Sequence, residues 1–413
     1  MRKIFIAVAL LSLGSCLNES VSSPSEESTF VRYFNGGNND AAQAMEVTPD
    51  GGFIILATTT VKKTDADKPK NKIKLIKTDK FGNQVWQSII PAATDTAKNY
   101  TASSLQLLPD GGYVITGDDI QTNGTTKTLL LTVNPAGELA RAASFSTLSS
   151  GKAVAINISN NFLVLSTSGT DSMRLSEVNK NDFTVSWTKI YAAGSTSLAR
   201  RLFVEDKLPT NPNPQKVLWA GVVTKSGLTG IRMVKATENA NNTDFDLLIS
   251  KPGFSETSTD FCRFGIGDGY SYAITGSTNQ KSGSAAAGSD TDILFKRMTA
   301  DGTVLSTNSF PFETDNQNDV GNSISPTSDG GVVLLSSVGS AAISGRGDTD
   351  YYLLRLDPFG NKVWSSAFGS RFKDEGVTVR QTLDGGYAVL GTTTQGNLKI
   401  ISLTKTNKEG KIE

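Results

Sequence analysis

The sequence predicts an all-β fold: a single β-propeller, most consistent with seven four-stranded blades and closed by an N-terminal strand. Three observations predict it. Asp-Gly-Gly recurs at Asp50, Asp110, Asp329 and Asp384. A second phrase follows the first, as in IKLIKTDKFGNQVWQSI from Ile73 and YLLRLDPFGNKVWSSAF from Tyr352. The segments between these turns alternate apolar and polar residues and are rich in β-branched side chains, which is the pattern of half-buried strands.

The turns justify the strand boundaries. Asp-Gly and Gly-Asn make tight turns, because glycine accepts positive φ and Asp or Asn caps the turn. The Asp-Gly-Gly copies lie 60 residues apart (50 to 110) and 55 apart (329 to 384). A degenerate copy, GDGYSYAITG, centres on Asp268, and weaker ones are NNFLVLSTSG from Asn160 and PQKVLWAGVVT from Pro214. The second phrase has weaker copies from Leu129, Met173 and Ile293. A four-stranded meander cannot bury both faces alone, and packing such units around an axis buries them.

First strands are predicted near 41–48, 101–108, 152–158, 199–205, 258–264, 320–327 and 375–382. The last unit ends at GKIE, short of an outer strand, while TFVRYFNGG from Thr29 resembles the fourth-strand phrase VWSSAFGS. Residues 29–36 are therefore expected to supply the outer strand of the last blade, joining the two ends and covering an open edge.

The repeat resembles a family of β-propeller repeats common in secreted and lipid-anchored proteins of the Bacteroidetes, with a pattern like T-x-D-G-G-Y followed by K-x-D-x-x-G-N-x-x-W. That pattern stands at Thr48, Asp50, Gly51 and Gly52 with Lys77, Asp79, Gly82, Asn83 and Trp86. It stands again at Asp384 to Tyr387, and at Asp357, Gly360, Asn361 and Trp364. Blades three and four depart from it. The resemblance implies a fold and an extracytoplasmic setting, and no single activity.

The N-terminus reads as an address. Arg2 and Lys3 precede the apolar run Ile4 to Leu13, about ten residues, too short to span a bilayer. Leu13-Gly14-Ser15-Cys16 looks like a bacterial lipobox. Residues 1–15 are thus expected to be a lipoprotein signal peptide, Cys16 the lipidated residue, 16–28 a flexible tether and 29–413 the propeller. Removing 1–15 leaves 38 basic against 40 acidic residues. Leu17, rather than Asp, after the cysteine resembles the outer-membrane signal of Gram-negative lipoproteins, and Glu19, Glu26 and Glu27 resemble the acidic leaders of surface-exposed ones. The side of that membrane is left open.

Composition narrows the chemistry. Lys+Arg and Asp+Glu are 40 each, which argues against a nucleic-acid partner. There is no histidine, so a Ser-His-Asp triad or a His-ligated metal is excluded. The only cysteine besides Cys16 is Cys262, in an apolar stretch that reads as buried packing.

Both tight turns of each unit fall on one face, and the long irregular connections fall on the other. These include VKKTDADKPKN, PAATDTAKNY, NQKSGSAAAGSDTD, PFETDNQND and SAAISGRGDTD. Variable loops over a rigid scaffold commonly carry function. The candidate binding residues on that long-loop face are Asp40, Asp319, Asp374 and Glu375, with Tyr100 and Tyr191 at loop edges. The acids could bind calcium, a hard cation; otherwise they read as turn caps, and no other cofactor is implied. Arg346-Gly347-Asp348 reads as a chance match. Trp86, Trp187 and Trp364 share one fourth-strand position and Trp219 lies in a second strand, so no tryptophan is left for a sugar platform.

The first functional expectation is a non-catalytic interaction module, not an enzyme, in an outer-membrane assembly, anchored through Cys16 and meeting an envelope protein. A glycan- or ligand-capturing lipoprotein accessory to an uptake system is the alternative. A propeller lyase or hydrolase is third, and without histidine it would need a carboxylate pair.

Overall fold

The computed structural model describes residues 29–412 apart from 63–67, 96, 169–171, 193–195, 206–214, 266–268, 282–286, 311–316 and 340–346. The expected signal peptide, Cys16, the tether, Asp268 and Arg346 lie outside the described residues.

Among the described residues, twenty-eight strands form seven four-stranded antiparallel sheets, each a blade. Blades one to six are each built from four consecutive strands. The first strands run Asn39–Val47, Tyr100–Leu107, Ser150–Ile156, Thr196–Val204, Glu256–Phe264, Val320–Pro326 and Lys373–Gln381, close to the sequence expectation. These strands contact one another in turn around the ring and so surround the axis. Seven apolar clusters hold the core, most of them bridging two neighbouring blades.

The ring closes as expected. Phe30–Phe34 pairs antiparallel with the last strand, Leu398–Thr406, as the outer strand of blade seven. Phe30 lies opposite Lys405, just as Trp86 lies opposite Lys77 and Trp364 opposite Arg355. The N-terminal strand thus enters at the same register as every other fourth strand.

That register position is a wedge between blades. A Cβ added at Gly137, in the turn of blade two, would stand 2.6 Å from the Trp86 ring of blade one. A Cβ at Gly410 would stand 2.5 Å from the Trp364 ring, and Gly82 is covered by Phe30 in the same way. The consensus glycine therefore does two things. It takes a left-handed φ (86° at Gly137) and leaves room for the neighbour's ring. Blade two uses Arg141 instead, whose guanidinium lies 5.4 Å over the Phe183 ring of blade three. Blade five has Ser306 at this position, and Phe295 from its third strand reaches Gly360.

The Asp-Gly-Gly carboxylates cap turns, as read, and also tie strands together. Asp50 accepts from Thr48 Oγ1 (2.5 Å) and Gly52 N (3.0 Å), and pairs with Lys77 of the third strand at 2.8 Å. Arg355–Asp329 and Lys405–Asp384 repeat the pair. Asp79 and Asp357 each accept two backbone N–H bonds of their own turn.

Each first strand also carries one bulge, at residues 43, 103, 152, 200, 259, 322 and 377. A bulge re-aims a side chain. Six of these residues, Gln43, Ser103, Lys152, Thr259, Asn322 and Val377, line the waist of the central channel.

Gly137 and Gly385 share φ 86°, but nothing stands within 4 Å of a Cβ at Gly385. Gly385→Ala should cost about 1 kcal/mol, the left-handed penalty alone. Gly137→Ala should cost about 2–4 kcal/mol, because overpacking against Trp86 adds to it. Thermal unfolding of the two variants checks this; equal losses would contradict the wedge.

Candidate functional site

The structure gathers several of the sequence-derived candidates at one station. Asp40, Tyr100, Asp319 and Asp374 each lie two residues before the paired residue that precedes the first-strand bulge. Glu256 holds the same station in blade five. These side chains are buried. Asp40 pairs with Lys74 at 2.6 Å and Glu256 with Lys296 at 3.0 Å. Asp319 accepts from Gly339 N, and Asp374 from Thr393 Oγ1 and Ser370 N. Tyr100 and Tyr191 stand at strand ends beside loops, as expected, but both are buried; Tyr191 packs edge-on to Trp219 at 4.7 Å. Glu375 alone of the six stays substantially exposed, pairing with Lys373 at 2.8 Å. No group of three or more acids and cysteines suited to a metal occurs among the described residues.

The central channel opens on the tight-turn face into a cavity of about 510 Å³, lined by Glu46, Arg201, Phe203, Arg263 and Arg380 among others. Its charges are mostly spent on each other. Arg380 makes a bidentate pair with Glu46 (2.8 and 3.0 Å), and Arg201 meets Asp260 at 3.1 Å. Burial alone would raise the Glu46 carboxyl. The Arg380 charge and hydrogen bonds, with Arg201 behind them, outweigh burial and hold it below its ordinary value. Burial pushes the Cys262 thiol far up, so it is a packed thiol as read.

Beside this mouth lies a second internal network. Glu205 accepts from Tyr272 and, at 3.1 Å, from Tyr270, while Lys235 donates to Tyr272 at 2.8 Å. Burial and then the Glu205 carboxylate raise the Tyr272 phenol, so it stays protonated. Arg263 stacks on Tyr270, 3.8 Å from the ring centre.

The cavity with the least spent polarity lies elsewhere. A cleft of about 650 Å³ runs along the outer part of blade four on the long-loop face. Its walls are the hairpin Lys225–Leu228 and the connection from Ser250 to Phe254 that leads to blade five. Leu228 and Leu248 are exposed, and Phe254 is buried beneath Lys251, whose ammonium lies 5.1 Å from the ring centre. Arg232 is fixed by Asp246 through two bonds of 2.8 and 2.7 Å. Lys225 and Lys251 make no ion pair among the described residues, so the cleft is net positive. The sequence reading passed over this site. Its one local signal was leucine at two positions that a soluble blade would fill with polar residues.

No known family pattern matches the chain, and no curated protein matches it. Solved structures do. A polysaccharide lyase, Uly1, superposes with a TM-score of 0.52 at 11% identity, covering 89% of this chain and 90% of the lyase. An ulvan lyase of polysaccharide lyase family PL25 superposes with a TM-score of 0.53 at 9% identity, over 92% and 96%. At this identity the likeness is one of fold. It corrects one expectation: this propeller architecture, end to end, is one that lyases use, so the reading of the chain as not an enzyme is withdrawn.

Replacing Arg380 by Gln leaves the half-buried Glu46 carboxylate without its partner and should cost about 1–2 kcal/mol at neutral pH. The sign of the pH dependence follows from the depressed carboxyl. In the wild type its stabilisation is complete above the ordinary glutamate range near about 4.3 and fades as pH falls through the lower folded value. The variant's deficit should therefore shrink as acid protonates Glu46. Denaturant unfolding at pH 7 and pH 4 checks it; a deficit independent of pH would contradict the pairing.

Proposed function

We propose that this chain is a lipid-anchored, extracytoplasmic propeller that takes an acidic polysaccharide in the blade-four cleft, held at the outer membrane through Cys16. The observation that carries the reading is the cleft itself. Two lysines without an ion pair among the described residues flank exposed leucines and hydroxyl groups from Ser226, Thr229 and Ser250. Ammonium groups recognise uronate or sulfate, hydroxyls recognise sugar hydroxyls, and apolar walls receive the C–H faces of the rings. The two fold neighbours act on polysaccharides, which supports the same ligand class here. The central mouth suits this role less well, because its arginines and carboxylates already satisfy one another.

The test is titration of the purified protein with polygalacturonate and with a sulfated and a neutral glycan. Acidic glycans should bind and weaken with salt, and the neutral one should not. Lys225→Glu with Lys251→Glu should weaken binding about tenfold, since each exposed charge contact is worth about 0.2–1 kcal/mol and reversal doubles the loss. Unchanged binding in the double variant would sink the cleft assignment.

The anchor has its own test. Exchanging residues 1–16 for an ordinary cleaved secretory signal should move the protein from the membrane fraction to the soluble one. Retention in the membrane would contradict lipidation at Cys16.

A further inference from the structure

The tight-turn face carries an apolar surface that neither the core nor the cleft uses. Phe81, Leu383 and Phe359 sit at turn tips of blades one, seven and six, with exposures of 44%, 79% and 70%. All three belong to the turns that define this face, Asp79–Asn83, Thr382–Gly386 and Asp357–Asn361. The three blades are consecutive around the ring. Leu383 of blade seven reaches within 3.9 Å of where a Cβ on Gly51 of blade one would stand, so the tips of blades seven and one adjoin, while Phe359 lies on the blade-five side of blade six, its ring 6.0 Å from the Arg297 guanidinium. Large apolar side chains grouped on one exposed face mark an interaction surface. None of them supports the turn, which its Asp and Gly residues already form.

Lysines accompany them. Lys80 lies 5.0 Å over the Phe81 ring, and Lys362, Lys408 and Lys411 are exposed at the neighbouring turns. Of the acids beside them, Asp384 is paired with Lys405, Asp79 and Asp357 are held by their own turn N–H groups, and exposed Glu409 stands between Lys408 and Lys411, so the lysines outnumber the unpaired carboxylates by one. Aromatic and leucine tips set among lysines fit the boundary of a bilayer with anionic headgroups.

The path of the chain points the same way. Phe30 is opposite Lys405, at the tight-turn end of blade seven. The N-terminal segment therefore joins the ring on this face, among the same three blades. Twelve residues separate Cys16 from Thr29, a reach of at most about 45 Å when fully extended.

We infer that the tight-turn face of blades six, seven and one rests on the membrane surface, with Phe81, Phe359 and Leu383 dipping into the headgroup boundary. The long-loop face, with the blade-four cleft, then points away from the bilayer. The inference rests on the lipid-anchor reading for its setting, but the surface can be tested without the lipid.

The experiment has two arms. In the first, full-length lipoprotein carrying an environment-sensitive dye at Phe359→Cys, or at Ser226→Cys in the cleft, is reconstituted into phosphatidylethanolamine–phosphatidylglycerol vesicles containing brominated lipid. Quenching should be several-fold greater at 359 than at 226. In the second, the unlipidated mature chain from Leu17 is floated with the same vesicles. It should bind weakly, and Phe81→Ser, Leu383→Ser and Phe359→Ser together should reduce binding roughly tenfold. Equal quenching at the two sites, or unchanged flotation of the triple variant, overturns the inference. Failure of the anchor reading looks different: the wild type floats no better than the unlipidated chain, while the triple variant still loses what binding there is.

Discussion

The ring depends on one contact repeated between neighbours: a large side chain, in most blades near the start of the outer strand, set against the turn of the next blade. Sheets twist, so two adjacent blades diverge toward the rim and leave a gap there. Trp86, Trp364 and Phe30 fill it, and the left-handed glycines at 137, 410 and 82 make it fillable. Because Phe30 comes from the start of the chain and Gly82 from blade one, the last gap is closed only when both ends have met. The repeated phrase at both ends of the sequence is the trace of that closure.

Charge is distributed with equal economy. Inside the ring, most cations and carboxylates are paired: Lys74 with Asp40, Lys296 with Glu256, Arg380 with Glu46 and Arg201 with Asp260. Burying a charge is tolerable only when it is paired. The channel waist and mouth are therefore built mainly to hold blades together. The cleft of blade four and the tips of blades six, seven and one are where polarity and apolar surface remain unspent. They lie on opposite faces, which lets one molecule face a membrane with one side and a soluble ligand with the other.

The fold was legible because turn chemistry and strand alternation are local. Asp-Gly-Gly announces a turn wherever it stands, and the similarity of TFVRYF to a fourth strand was enough to place the N-terminal segment. The site was much less legible. Alternation puts Asp40 and Asp374 near the channel, but burial depends on partners far along the chain, and Lys74 is 34 residues away. Tyr100 and Tyr191 do stand at strand ends, but their burial comes from packing that strand alternation does not show. The blade-four cleft is created by a hairpin and a blade-to-blade connection that touch only in three dimensions. The second role of the consensus glycine was likewise invisible, since the ring it accommodates belongs to a different repeat.

Closure of the ring by its N-terminal strand is the claim on which the rest stands, and amide hydrogen exchange of the intact protein tests it most directly. The backbone amides of residues 30–34 that pair with residues 401–405 should be protected to the same degree as those of the outer strand of blade six, Lys362–Phe368. They should lose protection together with the strand Leu398–Thr406, as one cooperative unit. Exchange of residues 30–34 at the rate of an unstructured segment, with the rest of blade seven still protected, would contradict the account.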